Sequence, residues 1–408
     1  PGGRSPLMTR NAVATTHPLA AQAGLQMLRA GGNAIDAIIA TAAVLTVVEP
    51  CSNGLGSDLF ALIWSPQDKA LHGLNSSGRS PQAWTPDTFK GMDSVPMRGW
   101  MSVSVPGAIA GWVALSKRYG KLPFADLLAP AIDIAERGYM VTPIIASQWA
   151  RAVPILQIQP GYAEHFMPHG RAPLPGELFR NPAQAESLRL IAESEGESFY
   201  RGQLAARIVA HAKAHGGLMT GIDLAAHVAD WVEPIRMGYR GYEVAEIPPN
   251  GQGIAALMAL GMLDDFDLKA LGPNHPDYWH LSIEAMKLAF RDVHAQVADP
   301  EYMNVSASAM LDRDFLKSRA KLIDLKRAQD FSPSAELRGG TVYLNAADES
   351  GLMVSLIQSN YYGFGSGVVV DGISLQNRAY GFTLDPAHPN CVAGGKRPFH
   401  TIIPGFIL

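Results

Sequence analysis

Gly339-Gly340-Thr341-Val342-Tyr343-Leu344-Asn345-Ala346-Ala347-Asp348 is the stretch on which the fold turns, because two glycines precede a hydroxyl that opens a run of alternating polarity. Val342, Leu344 and Ala346 fall on one face of a strand and Thr341, Tyr343 and Asn345 on the other. Asp348-Glu349-Ser350-Gly351 reads as a hairpin turn, so the return strand from Leu352 carries the hydroxyl of Ser359 back toward Thr341. The glycine-rich run from Asn360 to Gly367 then lies beside the same end, able to present backbone N–H groups. A threonine inside a chain has no base of its own. Once the bond before it is cut, its α-amine, with a pKa of about 7.7 to 8.0, can take the hydroxyl proton. Gly-Gly-Thr is equally the pattern of a plain turn entering a strand, and the local sequence leaves both readings open.

Working outward, the 408 residues suffice for two or three domain-sized units or one large domain of mixed helix and strand. A net charge of −4 without any long basic run gives no attraction for nucleic acid or an anionic membrane surface. Cys51 and Cys391 are too few for a disulfide framework. Pro1 to Pro6 lacks the apolar core of a secretory signal, so a cytoplasmic location is expected. The apolar run from Ala34 to Val48 carries Asp36, is too short to span a bilayer and reads as a buried helix capped by Asn33.

Glu49 to Asp58 is a glycine-bearing loop between that helix and the strand Leu59 to Trp64, the wrong order for a phosphate cradle. Leu71 to Leu74 is its partner strand, followed by Arg79, which is either a solvated loop residue or a carboxylate-binding one. Trp231 to Arg236 and Tyr242 to Ile247 read as two strands joined through Gly238 to Gly241. His280 and His294 return to one helix face without the spacing of a metal pair, so neither a metal nor a cofactor is expected. Arg313 to Arg338 is polar, shows little core signal and reads as a mobile connector.

These motifs together resemble the γ-glutamyltranspeptidase family of N-terminal nucleophile hydrolases. The likeness is carried by Thr15-Thr-His-Pro-Leu-Ala-Ala21, Gly31-Gly-Asn-Ala-Ile-Asp-Ala37, Gly78-Arg-Ser-Pro81, Val105-Pro-Gly-Ala-Ile-Ala-Gly111, Glu284-Ala-Met-Lys-Leu-Ala-Phe290 and Gly395-Lys-Arg-Pro398. The resemblance implies an α+β chain folded as a four-layer αββα sandwich. It implies a precursor that cuts itself between Gly340 and Thr341, giving a large subunit region 1–340 and a small subunit of which 341–408 is the N-terminal part, apparently truncated at its C-terminus; the two stay associated, with a homodimer of the processed unit as an open case. By motif, Thr341 is the nucleophile, Ser359 the hydroxyl that steadies it and Arg79 the grip on a substrate carboxylate.

The departures from the pattern point to the substrate. The family's second threonine and following histidine are Val342 and Tyr343 here, and an asparagine near the substrate is Tyr361. The family's Gln-x-x-Asp becomes Arg378-Ala-Tyr-Gly381, and its serine pair becomes His400-Thr401. Leu408 falls before the family's oxyanion-hole glycine pair. Two arginines without a carboxylate at the amine subsite suit a small amide that bears a carboxylate and no neighbouring ammonium, as oxamate does. Hydrolysis or transfer of γ-glutamyl groups is the alternative, and a non-catalytic binding protein that keeps the fold is a third.

Overall fold

A computed structural model of the chain describes residues 8–331 and 340–408. Its larger sheet is antiparallel throughout, with neighbours in the order Ala12–Ala14, Gly340–Ala347, Met353–Tyr361, Asp58–Ser65, Ala70–Ser76 and Asp230–Val232. The 340–361 hairpin is thus enclosed by strands from the N-terminal half. Period-two alternation sends the two faces of this sheet into different cores. Leu59, Ala61 and Ile63 join Val342, Leu344 and Ala346 against the helix Ala34–Val48, which is buried on every side. Phe60, Leu62 and Ile357 point the other way and meet Ala245, Ile247 and Ile402.

The helix is fixed at its N-terminus by two carboxylates. Asn33 and Asp36 form a reciprocal capping box. Asp348, in the hairpin turn, accepts the N–H of Ala34 at 2.8 Å and places a negative charge at the positive end of the helix. The turn of the hairpin is therefore tied down at the end opposite Thr341.

Ile235–Tyr239, Tyr242–Glu246 and Phe406–Ile407 make a smaller antiparallel sheet, onto which the helix Ile254–Leu263 packs, with the helix Pro276–Gln296 packed in turn on that helix, in one core that includes Met237, Leu257, Met258 and Leu288. The expected single strand from Trp231 to Arg236 is two strands in two sheets. Pro234 has no N–H to give a ladder, and the chain leaves the large sheet after Val232 and enters the small one at Ile235.

The expected connector also needs correction. Arg313–Ala320 is a helix capped by Asp312, whose side chain accepts from Phe315 N at 2.9 Å. Leu316 is buried, and Arg319 Nε binds Asp292 at 2.8 Å. Residues 332–338 of that connector, and Gly339, lie outside the described residues. His280 bonds the carbonyl of Asp324, whereas His294 packs against Phe290 and Phe399. Among the described residues no helix is long and apolar enough to cross a membrane.

Candidate active site

The hairpin brings Thr341 and Ser359 together through a bulge. Gln358 pairs with Val342, but the next partner of Gly340 is Tyr361, so Ser359 and Asn360 stand opposite Thr341 alone. Ser359 Oγ lies 3.0 Å from Thr341 Oγ1, accepts the N–H of Tyr361 at 2.8 Å and is 3.0 Å from the carbonyl oxygen of Gly340. A hydroxyl has one proton and two lone pairs. The Gly340 carbonyl can only accept, so the Ser359 proton points there, and the remaining lone pair receives the proton of Thr341. Ser359 thus touches both the nucleophile and the carbonyl of the bond that precedes it.

Local sterics explain two residue types here. A Cβ on Gly340 would stand 2.9 Å from the carbonyl oxygen of Cys51, so only glycine fits. Tyr361 has φ 77°, an unfavourable region for a side chain of its size, and is held there by its bond to Ser359 and by packing under Arg378. Val342 faces the helix core, and Tyr343 reaches Ser355 Oγ at 3.0 Å. The glycine-rich loop directs several of the N–H groups expected to face a ligand inward: Phe364 N binds Cys51 O, Gly365 N binds Tyr362 O and Ser366 N binds Leu375 O.

Beside Ser359 lies a buried charge cluster. Arg378 is fully buried, its guanidinium carbon 4.1 Å from the centre of the Tyr361 ring. Its Nη1 donates to Thr401 Oγ1 at 2.8 Å. Its Nε is 3.8 Å from Asp58 Oδ2, close enough for charge attraction and too far for a hydrogen bond. Among the described residues neither Nε nor Nη2 has a hydrogen-bond partner. Burial lowers the arginine's pKa to about 10, against the pull of Asp58, and it remains a cation at neutral pH.

Asp58 was not anticipated. It opens the 58–65 strand directly opposite Ser359 and is buried completely. Its Oδ1 accepts from Gly78 N at 3.2 Å, and its Oδ2 is 3.1 Å from His400 Nε2. Burial pushes its pKa up to about 7, while Arg378 pulls it down. His400 Nδ1 accepts from Ile402 N at 3.4 Å, which leaves the ring proton on Nε2, facing Asp58. Burial, with Arg378 and Arg397 nearby, holds His400 neutral. The signal for Asp58 was present in the sequence as a carboxylate that alternates in phase with Phe60 and Leu62.

The fold gathers Thr341, Ser359, Tyr361, Arg378, Thr401 and His400 into one chain of contacts, and Arg79 follows Gly78, whose N–H bonds Asp58 of the same cluster. Arg79 Nη1 donates to the buried Asp299 at 2.8 Å and to Gly395 O at 3.1 Å. With Asp223, His227, Asp230 and Arg397 it lines a cavity of about 130 Å³. Arg79 is drawn into this ion-pair cluster because Asp299 presents a carboxylate within its reach.

A threonine that opens a strand, bonded to a second hydroxyl that also holds the preceding carbonyl, is the arrangement of an N-terminal nucleophile hydrolase. The chain belongs to the gamma-glutamyltranspeptidase family, whose model matches residues 20–408, and it is an enzyme of that hydrolase class. It is 39% identical over 407 residues to a glutathione hydrolase-like proenzyme of Bacillus subtilis, covering 99% of this chain and 77% of that protein. It is 38% identical over 408 residues to an oxamate amidohydrolase proenzyme of Klebsiella pneumoniae, covering 98% and 76%. The crystal structure of a cephalosporin acylase from Bacillus halodurans superposes with a TM-score of 0.94 at 49% identity, over 100% of this chain and 76% of that one.

Proposed function

We propose that this chain is a self-cleaving amidohydrolase for a small amide that carries a carboxylate, with oxamate as the model substrate. The observation that carries the reading is Arg378, a buried cation with two unpartnered nitrogens that stacks on the residue whose N–H holds Ser359. A carboxylate is the planar anion that a guanidinium binds best. Gly381 leaves no acid in this segment for a substrate ammonium, which disfavours a γ-glutamyl group. We also infer that the two sheets and their helices form the four-layer αββα sandwich of the class, supported by the separate apolar cores on either side of the large sheet.

In the first reaction Thr341 Oγ1 attacks the Gly340 carbonyl carbon. The hydroxyl proton passes by way of Ser359 to the departing amide nitrogen, so that an ester replaces the amide. Water then cleaves the ester, leaving a Gly340 carboxylate and a free Thr341 amine. The products are a large subunit 1–340 and a small one beginning at Thr341. In the second reaction that amine takes the Thr341 proton, the hydroxyl attacks the substrate amide, and ammonia leaves with the proton. Water resolves the acyl-enzyme, so oxamate plus water gives oxalate plus ammonia.

The named relative at 39% identity favours a second reading, hydrolysis of glutathione-like γ-glutamyl compounds. Ammonia release from oxamate, set beside chromophore release from a γ-glutamyl anilide, separates the two. Faster turnover of oxamate is expected, and faster turnover of the anilide reverses the assignment.

A further inference from the structure

We propose that Asp58 is a positioning residue of this site, holding both Arg378 and His400 so that the cation stays in register with the nucleophile. The inference rests on the reading that Arg378 receives a substrate carboxylate.

Three observations lead to it. Among the described residues the Arg378 guanidinium makes one hydrogen bond, to the neutral hydroxyl of Thr401. A buried guanidinium needs a counter-charge, and Asp58 Oδ2, 3.8 Å from Nε, supplies it at a distance beyond that of a hydrogen bond. The same oxygen lies 3.1 Å from His400 Nε2, and so fixes the segment that carries Thr401, the other tether of Arg378. Finally, Asp58 stands directly across from Ser359 in the strand ladder, and Ser359 holds Thr341 at 3.0 Å. One row of the sheet therefore carries the nucleophile's partner and the anchor of the cation, and the strand register sets the distance between them. Asp58 supplies from the sheet the negative charge that Gly381 does not supply from the loop, but in a place where it supports a cation instead of facing the substrate.

The test is Asp58→Asn, which keeps the shape and an acceptor for His400 while removing the charge. Ammonia release is measured from oxamate and from oxamide, its uncharged analogue. The variant is expected to self-cleave and to lose at least tenfold of the wild-type preference for oxamate, through a rise in KM for oxamate that exceeds any change in kcat for oxamide. A self-cleaved variant with the wild-type preference overturns the proposal. If the wild-type enzyme releases no ammonia from oxamate, it is the substrate reading that fails. Asp58 is then judged on the Arg378 Nε–H signal in nitrogen-15 spectra, identified by its loss in Arg378→Lys. That signal is expected to shift and exchange faster in Asp58→Asn, and an unchanged signal overturns the proposal.

Should Asp58→Asn give no soluble protein, Asp58→Glu is used, which keeps the charge and displaces it by one methylene from Arg378 and His400. A severalfold loss of the preference for oxamate over oxamide is expected, and a soluble, self-cleaved variant with the wild-type preference overturns the proposal.

Discussion

Ser359 Oγ stands 3.0 Å from Thr341 Oγ1 and 3.0 Å from the Gly340 carbonyl oxygen, so one hydroxyl serves the nucleophile and the bond it is to break. Thr341→Ala is expected to abolish splitting of the chain. Ser359→Ala removes the donor to the carbonyl, a loss of the kind that costs roughly 10²-fold or more in rate. Ser359→Thr retains it. A time course on a denaturing gel reads all three, and wild-type splitting in Ser359→Ala removes Ser359 from the mechanism.

Arg378 separates binding from chemistry. Arg378→Lys keeps the charge opposite Asp58 but loses the fork, so KM for oxamate is expected to rise about tenfold, the equivalent of about 1.4 kcal/mol, with a smaller fall in kcat. Arg378→Ala leaves Asp58 buried without its cation and is expected to cost about 3–5 kcal/mol of stability. Steady-state kinetics and thermal melts distinguish the two substitutions. A pure kcat loss in Arg378→Lys contradicts a binding role.

Two buried carboxylates set the stability above pH 6.5. Asp58 is raised to about 7 and Glu246 to about 8 by burial, whereas both ionise near 4 in the unfolded chain. Between those limits the folded state binds more protons than the unfolded one, so their contribution is present below the unfolded pKa and is lost as pH rises through the folded pKa. Tm is expected to fall from pH 6.5 to 8, and Asp58→Asn to flatten the fall. Below pH 6.5 the buried His227 and His400, both held neutral in the folded state, oppose the trend, because the unfolded chain takes up their protons. Thermal melts across the range check both branches, and a Tm that climbs from pH 6.5 to 8 contradicts the first.

The hairpin, its face alternation and the approach of Ser359 to Thr341 were legible because period-two patterning and a glycine turn are local properties of the chain. The capped buried helix 34–48 was legible for the same reason. The strand break at Pro234 was not, because choosing between two sheets depends on partners distant in sequence. The pairing of Asp58 with Arg378 joins residues 320 positions apart, and a lone Asp at the start of an apolar strand does not announce its partner. The ion pair of Arg79 with Asp299 was not legible for the same reason: the motif identifies the arginine, but its partner lies 220 positions away.

Asp348 tests whether the turn end of the hairpin supports the helix. Asp348→Ala removes the acceptor of Ala34 N and of Ser350 N, and loss of such a cap costs about 1 kcal/mol, up to about 2. Asp348→Asn keeps an acceptor and is expected to lose less. Chemical denaturation of the two variants checks the order, and equal stability of Asp348→Ala and wild type removes the cap from the account.

Gly340→Ala tests the geometry of self-cleavage without touching a hydroxyl. The new Cβ would stand 2.9 Å from Cys51 O and 3.3 Å from Ser52 Cα, both backbone atoms of a buried loop. Neither can yield as a flexible side chain would, so the strand must retreat at residue 340. The retreat lengthens both the Thr341–Ser359 contact and the Ser359–Gly340 contact, which lie on either side of the substituted residue. Self-cleavage is expected to slow at least tenfold, since reactions of positioned groups fall steeply with displacement. The residual slow splitting should still be lost in the double variant with Thr341→Ala, which shows that the nucleophile is unchanged and only misplaced. Splitting of Gly340→Ala at the wild-type rate would mean that the loop at Cys51 moves aside, and that the close fit around Gly340 does not set the rate.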